Sequence, residues 1–240
     1  MLRKLLSVGF VLNLISLAVW SATVKAEPKV QSGQPVALFN GKDLTSWQIK
    51  NLKANNKWVV GRATLDPSNP MKLSVAPAAG AGELIHGGGP HLFTEKQFGD
   101  GILELEFMVA QGAASGVYVL GEYRIMIRDT FGKDKPSIKD SGAVSGMISP
   151  RVNAARKAGE WQKLVIEYQA ARFEGGKKIS NFKLIKVTMN DQVIHENVEV
   201  TGPTEAGLTR KDVSVGPLLF DGNHGPAAYR KIVFTPTAVK

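Results

Sequence analysis

Residues 102–109 read ILELEFMV, and this stretch decides the fold class. Its odd-numbered positions hold only apolar side chains, whereas Glu104 and Glu106 occupy two of the even-numbered positions. Alternation of this kind is typical of a β-strand that buries one face. The stretch therefore predicts a strand whose outer face carries two carboxylates, one pleat apart at about 7 Å.

The same alternation recurs along the chain. Residues 117–129, VYVLGEYRIMIRD, are predicted as one long strand, whose outward face would carry Tyr118, Leu120, Glu122, Arg124, Met126 and Arg128. Further strands are predicted at residues 163–168, 183–190, 213–220 and 230–235, and the polar stretches 170–178 and 201–212 are predicted as long loops. No helical periodicity of convincing length is present. The sequence predicts an all-β fold: a two-sheet jelly-roll sandwich forming a single domain.

The first residues have the pattern of a secretory signal peptide. Arg3 and Lys4 precede an apolar run over residues 5–20, and a segment of small residues ends at Ala26. The run of roughly 16 residues is shorter than the roughly 20 that span a bilayer, which favours cleavage after Ala26 over a retained anchor. We expect a signal peptide over 1–26, a flexible lead-in over 27–35 and the jelly-roll domain over 36–240. This organisation predicts a secreted or periplasmic protein without a stable membrane anchor after cleavage.

Composition narrows the function classes. The chain has no cysteine, which excludes a disulfide framework and a thiolate zinc site. Its net charge is +9, and removal of the three cations of residues 1–26 leaves +6. Lysines and arginines are scattered among acids rather than clustered, so no nucleic-acid partner is predicted. His86, His91 and His195 lack the spacing of a metal site.

Five segments in order carry a resemblance to a known family. The segments are LFNGKDLTSW (38–47), LFTEKQFGDGILELEF (92–107), SGVYVLGEYRIMIRD (115–129), GEWQKLVIEYQAARF (159–173) and GPLLFDGNHGPAAYRKI (216–232). In these segments the chain resembles the 3-keto-disaccharide hydrolase family, which has a concanavalin-like or laminarinase-like jelly roll. The resemblance implies an oligosaccharide or glycoside ligand that has been oxidised at the sugar's C3.

A ketone at C3 acidifies the proton on C2, so a base can remove that proton while the group at C1 is expelled. Such a reaction needs a base, an acid near the leaving oxygen, and hydrogen-bond donors for the developing enolate, to which a divalent metal is the alternative. No hydride cofactor is implied for this step, and no dinucleotide-binding fingerprint is present.

The resemblance places the candidate site on two motifs. The closing motif DGNHGPAAYRK keeps His224 and Arg230, but it has Asp221 where the family has Gln and Asn223 where the family has Asp. In the strand motif, Arg124 stands where the family has Glu, and Ala114 and Met126 replace Asn and Gln. The candidate catalytic residues are His224, Glu106, Arg230, Glu122 and Arg124. The candidate substrate-binding residues are Asp221, Asn223, Tyr118, Met126, Glu104 and Arg128.

Structural roles remain open for several of these residues. His224 could brace its loop through backbone carbonyls, and Arg230 could form a salt bridge with Glu106 or Glu104. Glu122 and Arg124 could form an exposed ion pair. Three functions follow: a glycoside-cleaving enzyme, a sugar-binding module that has lost the family's acid, or a scaffold domain that binds acidic glycans.

Overall fold

The structure, a computed structural model, describes residues 33–50 and 55–238. The strands are β1 (Val36–Ala37), β2 (Trp47–Ile49), β3 (Trp58–Leu65), β4 (Leu73–Ala76), β5 (Glu83–His86), β6 (Leu92–Phe98), β7 (Gly101–Val109), β8 (Ala114–Val119), β9 (Tyr123–Arg128), β10 (Gln162–Gln169), β11 (Arg172–Glu174), β12 (Lys177–Ser180), β13 (Phe182–Met189), β14 (Gln192–Val200), β15 (Gly216–Phe220) and β16 (Ala227–Pro236). Within the described ranges there is no helix, and so none that is long and apolar enough to cross a membrane. The predicted signal peptide lies outside the described residues.

Two antiparallel sheets form the molecule. The larger has nine strands in the order β14-β13-β10-β7-β16-β5-β3-β4, with β1 also paired to β16. The smaller has five strands in the order β2-β6-β15-β8-β9, and β11 pairs with β12 in a separate ribbon. The prediction of an all-β, two-sheet sandwich is therefore confirmed.

The core lies between the two sheets, as the alternation in β7 predicts. Leu103, Leu105 and Phe107 are almost completely buried on the inner face of the large sheet, and Phe220 of β15 contributes from the small sheet to the same apolar cluster. Full burial of each such side chain contributes about 1.5–3 kcal/mol to folding. Glu104 and Glu106, on the alternate positions, lie on the outer face of the large sheet.

Two predictions about strand boundaries are wrong. Residues 117–129 form a hairpin, β8 and β9, with a tight turn in which Leu120 and Gly121 have positive φ angles of 56° and 69°. The period-two pattern concealed this turn because Val119 and Tyr123, on either side of it, are an even number of residues apart and both face the core. The supposed loop 170–178 contains β11 and the start of β12, whereas 201–212 is indeed free of strands.

The hairpin has a direct consequence for the site. It pairs Tyr118 with Arg124 across neighbouring strands, on the face of the small sheet that is turned away from the core. A single strand would have separated these two side chains along its length. The remaining predicted strands, at 102–109, 163–168, 183–190, 213–220 and 230–235, match β7, β10, β13, β15 and β16, with ends that differ by up to three residues.

Candidate functional site

The candidate site is built around the end of β15. This strand lies in the middle of the small sheet, where Phe220 pairs with Leu92 of β6 on one side and with Val117 of β8 on the other. Asp221 follows Phe220 directly and donates its backbone N–H to the carbonyl of Gly116 at 2.9 Å. His91 precedes Leu92, so the antiparallel register places it beside Asp221.

The Asp221 carboxylate is fully buried and makes four contacts. Arg124 donates to Oδ2 from its guanidinium, and Nδ1 of His224 lies 3.1 Å from the same oxygen. The N–H of Asn223 donates to Oδ1 at 2.9 Å, and Nδ1 of His91 lies 3.3 Å from that oxygen. Burial alone would raise the pKa of Asp221, but the hydrogen bond with His91 and the charge of Arg124 outweigh it and hold the pKa well below its usual range. The carboxylate is therefore ionised.

Arg124 reaches Asp221 by crossing the intervening strand at a glycine. A Cβ atom on Gly116 would collide with the Arg124 side chain, so only glycine leaves room for the crossing. Arg124 also donates to the carbonyl of Ser115 at 3.0 Å, and its guanidinium carbon lies 5.6 Å from the centre of the Tyr118 ring. Burial raises the pKa of Tyr118 to about 12, so this phenol stays neutral.

The two histidines beside Asp221 differ in how they hold their protons. Because the ionised carboxylate only accepts, Nδ1 of His224 must donate to it, which leaves the lone pair of a neutral ring on Nε2. His224 is also 56% exposed along its side chain. Nδ1 of His91 lies between two partners: it accepts from the N–H of Gly222 at 3.1 Å when unprotonated, and it faces Asp221 when it carries a proton. Both rings can therefore exchange a proton next to a fixed negative charge.

A buried network lies under this cluster. Ser115 Oγ donates to the carbonyl of Asp221 at 2.9 Å and lies 2.6 Å from the hydroxyl of Tyr229. Nε2 of His86 lies 3.3 Å from the same Oγ, while Nδ1 of His86 accepts from the N–H of Gly88 at 3.2 Å. Burial lowers the pKa of His86 to about 4, so this ring is neutral and supports the loop that carries His224.

A cleft of about 690 Å³ opens beside the cluster. This volume falls within the roughly 300–1,000 Å³ that is usual for small-molecule sites. The cluster contributes His91 and Asn223 to the cleft wall, and the remaining lining residues are Lys50, Asn55, Lys57, Gly89 and Pro90. His91 is thus the titratable group that connects the cleft to Asp221.

The cluster does not fit a divalent metal ion. Among residues 33–50 and 55–238, no group of three or more histidines or carboxylates is arranged to hold one. His91 and His224 flank Asp221, but the guanidinium of Arg124 already occupies the carboxylate and would repel a second cation.

Glu122, Met126 and Arg128 also lie on the outer face of the small sheet, where neighbouring loops cover them. The Glu122 carboxylate is 1% exposed rather than part of an exposed ion pair, and it accepts from the N–H and hydroxyl of Thr209 and from the N–H of Arg210 at 2.7–2.9 Å. It therefore anchors the 201–212 loop. Met126 is buried and exchanges backbone hydrogen bonds with residues 142 and 143, and Arg128 donates to the carbonyl of Lys139 at 3.4 Å.

Glu104, Glu106 and Arg230 lie elsewhere, on the outer face of the large sheet. Arg230 donates from Nε to Glu106 at 2.6 Å, and Nζ of Lys231 donates to the other Glu106 oxygen at 2.7 Å. The Arg230 guanidinium stacks 3.9 Å from the centre of the Trp161 ring. Glu104 pairs with Lys163 at 3.0 Å. The core separates this ion-pair group from Asp221, so the predicted catalytic residues do not meet at one place.

Comparison with known proteins agrees with this architecture. Residues 34–235 match the model of the 3-keto-alpha-glucoside-1,2-lyase-like domain family. The chain belongs to this family. Two crystal structures from Parabacteroides distasonis ATCC 8503, both provisionally classed as glycosyl hydrolases, share the fold. The first is 22% identical, with a TM-score of 0.63 over 85% of this chain and 84% of its own. The second is 12% identical, with a TM-score of 0.56 over 85% of this chain and 94% of its own. Among curated proteins, none matches the chain.

Two departures of this 3-keto-alpha-glucoside-1,2-lyase-like domain from the expected family motifs meet in the structure. Arg124 stands where the resemblance leads one to expect Glu, Asp221 stands where it leads one to expect Gln, and these two side chains form the buried ion pair. A carboxylate is therefore present beside Arg124, but it lies at the end of β15 rather than on β9. In the sequence neither departure points to the other, because the two residues are 97 positions apart.

Sequence reasoning also missed His91, Lys50 and Lys57 of this lyase-like domain. His91 lacks the spacing of a metal site, but it directly precedes the family segment that begins at Leu92, and this position is the signal that points to it. The sequence carries no such signal for the two lysines, because their approach to His91 depends on how β2 and β3 pack against residues 89–91.

Proposed function

We propose that this protein cleaves 3-keto-glycosides by acid–base elimination at the cleft beside Asp221. One observation carries the proposal: a buried, ionised carboxylate contacts two imidazoles, His224 and His91, and His91 lies at the wall of a cleft large enough for a sugar. A carboxylate that orients an imidazole and stabilises its protonated form is a recurrent device for proton transfer. Membership of the lyase-like family supports 3-keto-glycosides as the proposed substrate class.

In the proposed reaction His224 is the base and His91 is the acid. Nε2 of His224 removes the proton from C2, the C1–O bond breaks, and its electron pair leaves with the departing oxygen. That oxygen takes a proton from His91 while a double bond forms between C1 and C2, and water adds in a later step. Asp221 stabilises whichever ring is charged, and Arg124 holds the carboxylate in place. Asp221 and Arg124 are positioning residues, because both are buried.

The ion pair also bears on the alternative of a sugar-binding module. That alternative rested on Arg124, taken as the loss of the family's acid. Since Asp221 restores a carboxylate in contact with Arg124, the departure at position 124 does not by itself remove acid–base chemistry. Glu106 and Arg230 are assigned a structural role in this proposal, because their charges are neutralised by each other and by Lys231 on the outer face of the other sheet.

The test is incubation of the purified protein with an aryl 3-keto-glucoside and with 3-keto-trehalose in D₂O. We expect release of the aryl alcohol or sugar and incorporation of deuterium at C2. His224→Asn and His91→Asn should each lower turnover by about 10²-fold or more, which is the usual contribution of a positioned acid or base. His224→Asn should also abolish exchange at C2. Lys177→Ala, a change of an exposed lysine away from the cleft, is the matched control.

Two results would overturn the proposal. Saturable sugar binding without product or exchange at C2 would identify a binding module instead. Turnover that survives both histidine substitutions would place the chemistry elsewhere in the molecule.

We also propose that the protein is exported, on the strength of residues 1–26 alone. N-terminal sequencing of the protein recovered from the periplasm or medium should begin at Glu27. A chain that remains in the cytoplasm with its leader intact would contradict this.

A further inference from the structure

The cleft beside His91 carries a positive charge that acid–base chemistry at Asp221 does not use. Lys50 and Lys57 line it and are exposed, while its other side chains are neutral or are histidine. Among the described residues that line it, there is no aspartate or glutamate. The carboxylate of Asp221, behind His91, is fully buried and paired with Arg124, so it does not neutralise the charge of the two lysines.

Hydrogen bonds to residues 90 and 91 hold the backbone at both lysines near His91. The N–H of Lys50 donates to the carbonyl of His91 at 2.9 Å, and Trp58, which follows Lys57, donates from its indole to the carbonyl of Pro90 at 2.8 Å. A Cβ on Gly89 would lie 3.5 Å from Cβ of Lys57, so that side chain starts beside the cleft wall. The backbone positions of the two lysines are therefore held close to that of His91.

These lysines also differ from others on the surface in their ion pairing. Lys133, Lys163 and Lys178 each lie within 3.0 Å of a carboxylate. For Lys50 and Lys57, no carboxylate of the described residues lies within ion-pair distance. Two uncompensated cations in a concave site raise the local concentration and affinity of anions.

We propose that the cleft selects glycosides that carry an anionic group, a carboxylate, sulfate or phosphate on the sugar, and that Lys50 and Lys57 bind it. This deepens the proposed function and rests on it, since the same cleft would present the substrate to His91. The neutral hydroxyls of the sugar would be left to Asn55 and Asn223, whose amides both donate and accept.

The experiment measures binding without turnover, by calorimetry or ligand-observed NMR. Methyl β-D-glucuronide is compared with methyl β-D-glucoside, which has the same ring without the charge, and glucose 6-sulfate and glucose 6-phosphate identify which anion is preferred. We expect the anionic ligands to bind about five- to thirty-fold more tightly at low salt, as two exposed charge contacts allow. The preference should shrink towards one in 0.5 M salt.

Lys50→Ala/Lys57→Ala should abolish the preference, whereas Lys177→Ala should keep it. Equal affinity for the charged and uncharged ligands, or a preference that survives the double substitution, would overturn the inference. Its failure is distinguishable from that of the proposed function: elimination without an anion preference overturns only the inference, and an anion preference without elimination overturns only the proposed chemistry.

Discussion

Replacing Asp221 with asparagine should reveal how much the buried ion pair contributes to the stability of the fold. The substitution keeps the shape of the side chain but leaves the Arg124 guanidinium, whose side chain is 10% exposed, without its counter-charge. Breaking a buried pair by removing one partner costs about 3–5 kcal/mol, because a desolvated charge remains. For a domain of this size that corresponds to a fall in Tm of about 6–20 °C.

The assay is urea denaturation at pH 7, followed by tryptophan fluorescence, with calorimetry for Tm. Asp134→Asn, which removes an exposed carboxylate, is the matched control and should change the free energy of unfolding by no more than about 0.5 kcal/mol. Arg124→Met and the double variant complete a cycle. Asp221→Asn/Arg124→Met should be more stable than the sum of the single changes predicts, by at least about 1 kcal/mol, because it leaves no orphaned charge.

The dependence on pH supplies a further check. The pKa of Asp221 is lower in the folded protein than in the unfolded chain, so its contribution is complete above the unfolded value of about 3.9 and is lost as the pH falls below it. The gap in stability between the wild type and Asp221→Asn should thus narrow as the pH falls below 4. A cost under about 1 kcal/mol at pH 7, or strict additivity in the cycle, would refute the account of a buried, coupled pair.

Three further predictions concern residues around the site. Glu122→Gln should lower the free energy of unfolding by about 1.5–3 kcal/mol, because a charged acceptor of three hydrogen bonds is lost. Hydrogen exchange should become faster at the amides of Thr209 and Arg210 and should not change in the large sheet. Gly116→Ala should lower the free energy of unfolding by about 1–3 kcal/mol, because the new methyl group displaces Arg124. In an Arg124→Ala background this loss should largely vanish. An unchanged loss there would contradict the passage of Arg124 over Gly116. The folded-state pKa of His86, about 4, lies below the unfolded value of 6.5, so its contribution to the free energy of unfolding is complete above pH 6.5 and declines towards pH 4. Between pH 7.5 and 5 the free energy of unfolding of the wild type should fall by roughly 2 kcal/mol more than that of His86→Gln. Parallel pH profiles of the two proteins would contradict this.

Local sequence patterns predicted much of the fold because strand alternation is a local property. The pattern in residues 102–109 fixed both the strand and the inward face of β7, and it did so without knowledge of any neighbour. The same kind of pattern in residues 117–129 did not reveal the turn at Leu120 and Gly121. The apolar and polar positions alternate in the same phase before and after that turn, so the periodicity gives no sign of it.

The sequence by itself also determined family membership and drew attention to His224 in the closing loop. Only the tertiary structure decided that Asp221, Arg124 and His91 form one cluster, while Glu106 and Arg230 form a separate one. The physical reason is the order of strands in the small sheet, β6-β15-β8-β9, which brings together residues that are 97 and 130 positions apart in the chain. Which strands become neighbours depends on long-range pairing and on the packing of the two sheets, and the side-chain pattern of an individual strand does not encode either.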